Sequence, residues 1–375
     1  MTLLNSHQSQ LTSTLSGRLF DVLQDMVQKI DIKSNFTIIH PDYKPLELPI
    51  EVVERFKKMP AEMQQKYLSL QLQSFLYGIY YNGSMRSALA LEGEKNSLPL
   101  DLENNTFLGI DLEFYERLHQ SNCGEGNFDP GWLILREETD DTLLVTKGGL
   151  RLHIYRNKHL QSTDKDAMEG NLVAIKLPKN RVQNGFYVAT SNQGLSYFED
   201  TNNKSVTVRI YFNLTLEGAV CVMKSLTQRL NELKIYFTFK VLYNPHDYGR
   251  YDSGVLYFEK TDYQIVREVL QVVYQENKLN MQPEIPLFTM QLAPGLGLAE
   301  EPDQKFAEQE SFGMNRCQIL SNGLLASWNQ GDESSETKMQ AILQQFTWLG
   351  IDLEHPYLNA NSENIYTPLE LASEI

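Results

Sequence analysis

Between Val206 and Leu214 the chain reads VTVRIYFNL, and its apolar residues fall on every second position. Side chains on a strand point alternately to two faces. Val208, Ile210, Phe212 and Leu214 therefore share one side, and Thr207, Arg209, Tyr211 and Asn213 share the other. One side suits a core; the other carries a cation, a phenol and an amide. Period-two patterning begins at about residue 144 and recurs in GGLRLHIYR (148–156), NLVAIKLPKN (171–180), NGFYVATSN (184–192), IYFTFKVLYN (235–244) and GVLYF (254–258). These are strand signatures. LEGAVCVMKSLTQRLNELK (216–234) and TDYQIVREVLQVVYQEN (261–277) break in as amphipathic helices, the second with Thr261 as candidate N-cap. Four strands, a helix, two strands and a helix argue for an α+β fold: a mixed or antiparallel sheet with helices on one face.

Upstream, residues 16–135 read mostly as helix. SGRLFDVLQDMVQKI (16–30) carries an apolar stripe, and PAEMQQKYLSLQLQSFLYGIYYNG (60–83) starts at Pro60 and stops at Asn82-Gly83. HPDYKPLELP (40–49) reads as a connector, and QPEIPLFTMQLAPGLGLAEEPD (282–303) reads as loop. Two helices near 311–331 and 335–352 are expected to pack back. The division is a helical N-terminal region (1–135), an α+β core (136–300) and a C-terminal helical region (301–375).

Composition removes several function classes. Acidic residues outnumber basic ones 48 to 33, a formal charge of −15, which disfavours nucleic acid as a partner. No apolar run approaches the roughly 20 residues that span a bilayer, so no membrane is expected. Cys123, Cys221 and Cys317 show no CxxC spacing, which fits a reducing cytoplasm. Residues 5–16, rich in Ser, Thr and Gln, read as a flexible tail, with an export tag as the other reading and no clear secretion signal. Phosphate-loop, zinc and nucleophile-elbow motifs do not occur, and GEG (124–126) and PGLGLAE (294–300) are weak glycine loops. No nucleotide, metal or other cofactor is expected.

The polar strand faces carry the chemistry. If the strands pair in one sheet, Arg151, His153, Lys176, Arg209 and Lys240 converge, and Arg250 in NPHDYGRYDSGVLYF (244–258) caps the edge. Such a cluster suits phosphate or carboxylate, since Arg offers a bidentate fork and Lys a point charge. Clustered cations also disfavour a protonated lysine, so one lysine could act as a base. The ordinary alternative is the wet face of an antiparallel sheet. Singly, His153 and His246 read as surface residues, Tyr80 and Tyr81 as helix-end packing, Arg316 as an ion-pair residue and Asp252 as a turn former.

The segments NGFY (184–187), VRIYFNL (208–214), FKVLYN (239–244), YGRYDSGVLYF (248–258) and SFGMNRCQIL (311–320) together resemble the HopA-one family of type III effectors, over about residues 130–320. Some relatives in that family are lyase components of class V lanthipeptide synthetases. The resemblance implies a bacterial, cytoplasmic phosphoserine/phosphothreonine lyase. Its partner would be a phosphorylated precursor peptide, made so by a separate kinase-like protein, and its product a dehydroamino acid. It implies equally a non-catalytic effector or peptide-binding module. For the lyase, Arg209 and Arg250, with Arg151 and Arg316, would hold phosphate. Lys240 or Lys176 would be the base, and His153 or Tyr211 the acid.

Overall fold

The computed structural model describes residues 17–91, 103–105, 109–138, 141–194 and 205–371. The tail reading of residues 5–16 lies outside them. Seven strands, β8 (Asn180–Gln183), β9 (Phe186–Thr190), β10 (Thr207–Phe212), β11 (Thr238–Leu242), β12 (Gly254–Glu259), β13 (Met290–Ala293) and β14 (Leu296–Glu300), form one sheet in the order β13-β14-β10-β12-β11-β9-β8. Every pair is antiparallel. On β10 the apolar set Val208, Ile210 and Phe212 is fully buried, and Arg209 and Tyr211 on the other face are buried as well.

The apolar face packs with α6 (Leu216–Glu232) and α7 (Tyr263–Asn277), whose Val222, Leu226, Val266 and Leu270 belong to the same core. Thr215 caps α6, its side chain accepting from the Gly218 amide. The residue before α7 is Asp262, not Thr261, and it makes no side-chain cap; Lys260–Asp262 forms a 3-10 turn there instead. Helix α4 (Leu112–Ser121) joins this layer, with Tyr115 meeting Tyr187 and Tyr243 edge-on.

The C-terminal helices pack back as expected. Helix α8 (Phe312–Gln330) lies on α3 (Ala61–Leu76), and α9 (Ser335–Trp348) lies on α8 and on α1 (Gly17–Lys29). Helix α3 runs into a π turn, Tyr77–Tyr81, and this turn and Phe312 reach Tyr211 on the second sheet face. The α8–α9 contact is backbone-close: a Cβ on Gly323 would stand 2.6 Å from Ile342 Cα. Gly323→Ala is therefore expected to cost about 1–3 kcal/mol, because backbone cannot rotate away as a side chain can. Unchanged thermal unfolding of that variant would show the helices able to separate freely.

Three expectations need correction. Residues 282–303 are not loop: they hold β13 and β14, and β14 is buried throughout, beside β10. The glycines that suggested a loop have other work. Gly295 turns the hairpin at φ +76, and a Cβ on Gly297 would meet Thr289 Oγ1 at 2.6 Å. The mostly helical N-terminal reading misses a three-stranded sheet of β1 (Asp31–Ile32), β2 (Ile38–His40) and β3 (Tyr43–Leu46), and also β4 (Asn127–Glu137).

The third correction bears on the site. β4, β5 (Thr142–Lys147), β6 (Leu150–Tyr155) and β7 (Leu172–Leu177) form a separate four-stranded sheet, ordered β6-β5-β4-β7. It has its own core of Trp132, Ile134, Leu143, Val145, Ile154, Leu160, Val173 and Ile175. The larger core draws residues from Leu19 to Leu369. Among the described residues no helix is long and apolar enough to cross a membrane.

Candidate functional site

Register places Arg209 of β10 opposite Tyr257 of β12, which lies opposite Thr238 of β11. One step along, Tyr211 faces Val255, and Val255 faces Lys240, which faces Val188 of β9. These side chains share the second face of the large sheet. Its exposed part forms a cleft of about 560 Å³, lined by Arg209, Lys240, Tyr257 and Val188 from the strands and by Glu301, Lys305 and Ser311 from beyond β14.

Cations and rings alternate along the floor. Arg209 Cζ lies 5.0 Å from the Tyr257 ring centre, and Lys240 Nζ lies 5.3 Å from that ring and 4.6 Å from Phe186. Arg250 Cζ stands 5.9 Å from the same Phe186 ring. The three cations placed on the matched segments are thus one continuous row, each sharing a ring with the next. Such contacts are worth about 0.5–2 kcal/mol apiece.

The three differ in how they are compensated. Arg209 is nearly sealed and gives its Nε and one terminal nitrogen to Glu301 Oε2, while Lys305 Nζ bonds Glu301 Oε1 at 2.6 Å. Burial pulls the Arg209 pKa down, but the phenols of Tyr257 and Tyr211 and the Glu301 carboxylate more than offset it, so the guanidinium stays charged. Arg250 is clamped by Asp252, Nε to Oδ1 at 2.6 Å and Nη2 to Oδ2 at 2.9 Å. Asp252 also accepts from Asn82 Nδ2 at 3.2 Å and from the Tyr77 hydroxyl at 3.1 Å, tying the 244–253 loop to the π turn. Tyr248 holds the same loop by donating to the Leu242 carbonyl at 2.8 Å, and His246 is exposed. Lys240, half-buried, has no ion-pair partner among the described residues.

The remaining expected site residues lie elsewhere. Arg151 and His153 are exposed on β6 and Lys176 is half-buried on β7, all in the small sheet, so none joins the cleft. Alternation assigns a residue to a face but never names the partner strand, which is why one sheet looked sufficient. Arg316 is buried, with Nε donating to the Pro356 carbonyl at 2.9 Å, Nη2 to the Leu358 carbonyl at 3.0 Å and Nη1 to Asn315 Oδ1 at 2.7 Å. Burial pushes its pKa down to about 10, and its donors hold the 356–358 segment in place, leaving them unavailable to a phosphate. Tyr211 lies buried under Tyr81 and Phe312. Its hydroxyl and that of Tyr81 lack an aligned hydrogen-bond partner, and burial raises the Tyr211 pKa.

Tyr257, Glu301 and Lys305 are cleft residues that sequence reasoning missed, as was Phe186, whose ring lies under Lys240 and Arg250. Tyr257 was legible: in GVLYF it alternates with Leu256 and Phe258. Glu301 and Lys305 had no pattern to betray them. Among the described residues, Asp352, Glu354 and His355 bring possible metal ligands within 4.8 Å of one another, but they are exposed or half-buried and do not line the cleft.

Residues 177–358 match the HopA1 effector protein family. That span holds β8 to β14 and every cleft residue named above, and leaves out Arg151, His153 and Lys176. Among solved structures, the effector protein from Pseudomonas syringae pv. tomato strain DC3000 is 16% identical, with a TM-score of 0.41, over 82% of this chain and 94% of that one. The effector protein from Pseudomonas syringae pv. syringae strain 61 is 13% identical, with a TM-score of 0.44, over 92% of this chain and all of that one. No curated protein matches the sequence.

Proposed function

We propose, on the footing that residues 177–358 belong to the HopA1 effector protein family, that the cleft removes phosphate from phosphoserine or phosphothreonine in a ribosomally made precursor peptide. The product is a dehydroamino acid. A kinase-like partner would supply the phosphorylated peptide. The observation that carries this reading is Lys240: a cation on the cleft floor, wedged between two rings, with no ion-pair partner among the described residues.

In the elimination, the neutral Lys240 amine takes the Cα proton. The C–H electron pair becomes the Cα=Cβ bond, and the Cβ–O pair leaves with phosphate. Arg209 and Lys305 receive the leaving dianion. Tyr257, flanked by Arg209 and Lys240, donates the proton that completes hydrogen phosphate, taking over the acid role from His153 and Tyr211.

A second reading, an effector or peptide-binding module without turnover, draws on the prior pairing of Arg209 with Glu301 and Arg250 with Asp252. Mass spectrometry of a phosphorylated precursor peptide separates the two. Loss of phosphoric acid is expected. Lys240→Arg should lower its rate at least about a hundredfold while the peptide still binds, since arginine keeps the charge and cannot be a base. A variant as fast as the parent removes Lys240 from the base role, and binding without any loss favours the second reading.

A further inference from the structure

The cleft floor runs on past Lys240 to the rim of the sheet. Register leads from Lys240 of β11 to Val188 of β9, and from Val188 to Arg181 of β8, so Arg181 shares the cleft face. Gln183, two residues further along β8, shares it too and lines the cleft. β8 is the outermost strand, and Arg181 is exposed on it. On a chain with a formal charge of −15 a carboxylate is easily found, and Arg209 and Arg250 each hold one. Arg181 holds none among the described residues. Asp129 lines the same hollow beside β8 as Arg181, but its carboxylate is taken by Lys147 Nζ at 2.8 Å and Trp132 Nε1 at 2.6 Å. The row Lys240–Val188–Arg181 thus ends on a cation with no counter-ion of its own.

We propose that Arg181 is a specificity residue that takes the carboxylate of an aspartate or glutamate three positions from the reacting residue of the bound peptide. This rests on the peptide-binding part of the reading above and not on its chemistry. Arg181 cannot share the phosphate with Arg209, because β8 and β10 are four strand spacings apart, about 19 Å. The cleft extends from Glu301 and Lys305 beyond β14 to Gln183 on β8, so a peptide in it crosses the strands. Such a peptide makes no ladder hydrogen bonds. The polyproline II conformation needs none, and it brings every third side chain to the same side over about 9.3 Å. Lys240 and Arg181 are two strand spacings apart, about 9.6 Å. A peptide whose reacting residue lies over Lys240 therefore sets its third neighbour over Arg181, side chain toward the floor. The guanidinium fork matches a carboxylate there.

Titration calorimetry on the full chain tests this with peptides carrying a phosphonate isostere of phosphoserine, CH2 replacing the ester oxygen so that nothing is eliminated. One peptide is otherwise uncharged. Two others carry a single aspartate, either three residues before the isostere or three residues after it. A fourth carries lysine at whichever of those positions binds better as aspartate. The parent is expected to bind one aspartate peptide about three- to fivefold more tightly than the uncharged one, the scale of an exposed ion pair, and the other no better. Arg181→Ala should erase that gain. Arg181→Glu should reverse the order, so that the lysine peptide binds more tightly than the aspartate peptide. No gain at either position overturns the proposal. So does an equal gain at both, which would be the field of the whole cleft, or a gain that survives in Arg181→Glu. A protein that binds all the peptides alike, yet eliminates phosphate from the phosphoserine counterparts, loses this proposal and keeps the lyase reading. One that shows the aspartate preference and never eliminates phosphate does the reverse.

Discussion

Glu300→Ala is expected to cost the folded state about 3–5 kcal/mol, the scale for removing one partner of a buried charged network. Glu300 is fully buried at the end of β14. Its Oε1 accepts from Lys260 Nζ at 2.8 Å, Ser362 Oγ at 2.8 Å and the Tyr366 hydroxyl at 2.9 Å, and its Oε2 accepts from the Asn359 amide at 3.0 Å. Burial and the adjacent carboxylate raise the Tyr366 pKa, so the phenol remains a donor. Alanine strands those donors, each buried orphan costing about 1–3 kcal/mol. The loss should be directional. Residues 357–371 lie along α7 and β13, where Thr367 O accepts from Tyr263, Pro368 O accepts from Arg267 and the Leu369 amide donates to Leu292 O. Urea denaturation gives the total, and amide exchange in 357–371 should rise before exchange in β10 does. A variant as stable as the parent would show that the carboxylate contributes nothing net.

Asp252→Ala should be nearly as severe, again about 3–5 kcal/mol, because it leaves the Arg250 guanidinium without its counter-ion. The carboxylate is also the acceptor for Asn82 and Tyr77, so the 244–253 loop and the π turn lose their shared anchor. Arg250→Ala alone removes the stranded charge. The double variant should then be less damaged than the two single losses added together, by about 0.5–3 kcal/mol. Additive losses would mean that the two residues act independently. Asp252→Ala should also weaken peptide binding, because Arg250, Phe186 and Lys240 form one row.

Much of the large sheet could be read from the sequence because its strands are amphipathic. β10, β11 and β12 carry clean alternation, and the helices between them carry a period of 3.6. Arg209, Lys240 and Arg250 all lie in the family segments; the first two line the cleft, and Arg250 stands beside it over the Phe186 ring. What stayed hidden is pairing. Arg151, His153 and Lys176 lie on strands as well patterned as β10, and nothing local says that those strands pair with β4 and β5 instead. β14 was hidden for the opposite reason. Buried on both faces, it has no alternation, and its glycines, placed for close approach, imitate a loop. Arg316 misled because a sequence shows a charge and not its burial.

The second core has a consequence for how this chain comes apart. Seven buried residues of the small sheet pack on one another and on Leu160, and the matched span begins at Leu177, the last residue of β7. A unit with its own interior can open without breaching its neighbour. Amide exchange in β5 and β6 is therefore expected to run ahead of exchange in β10.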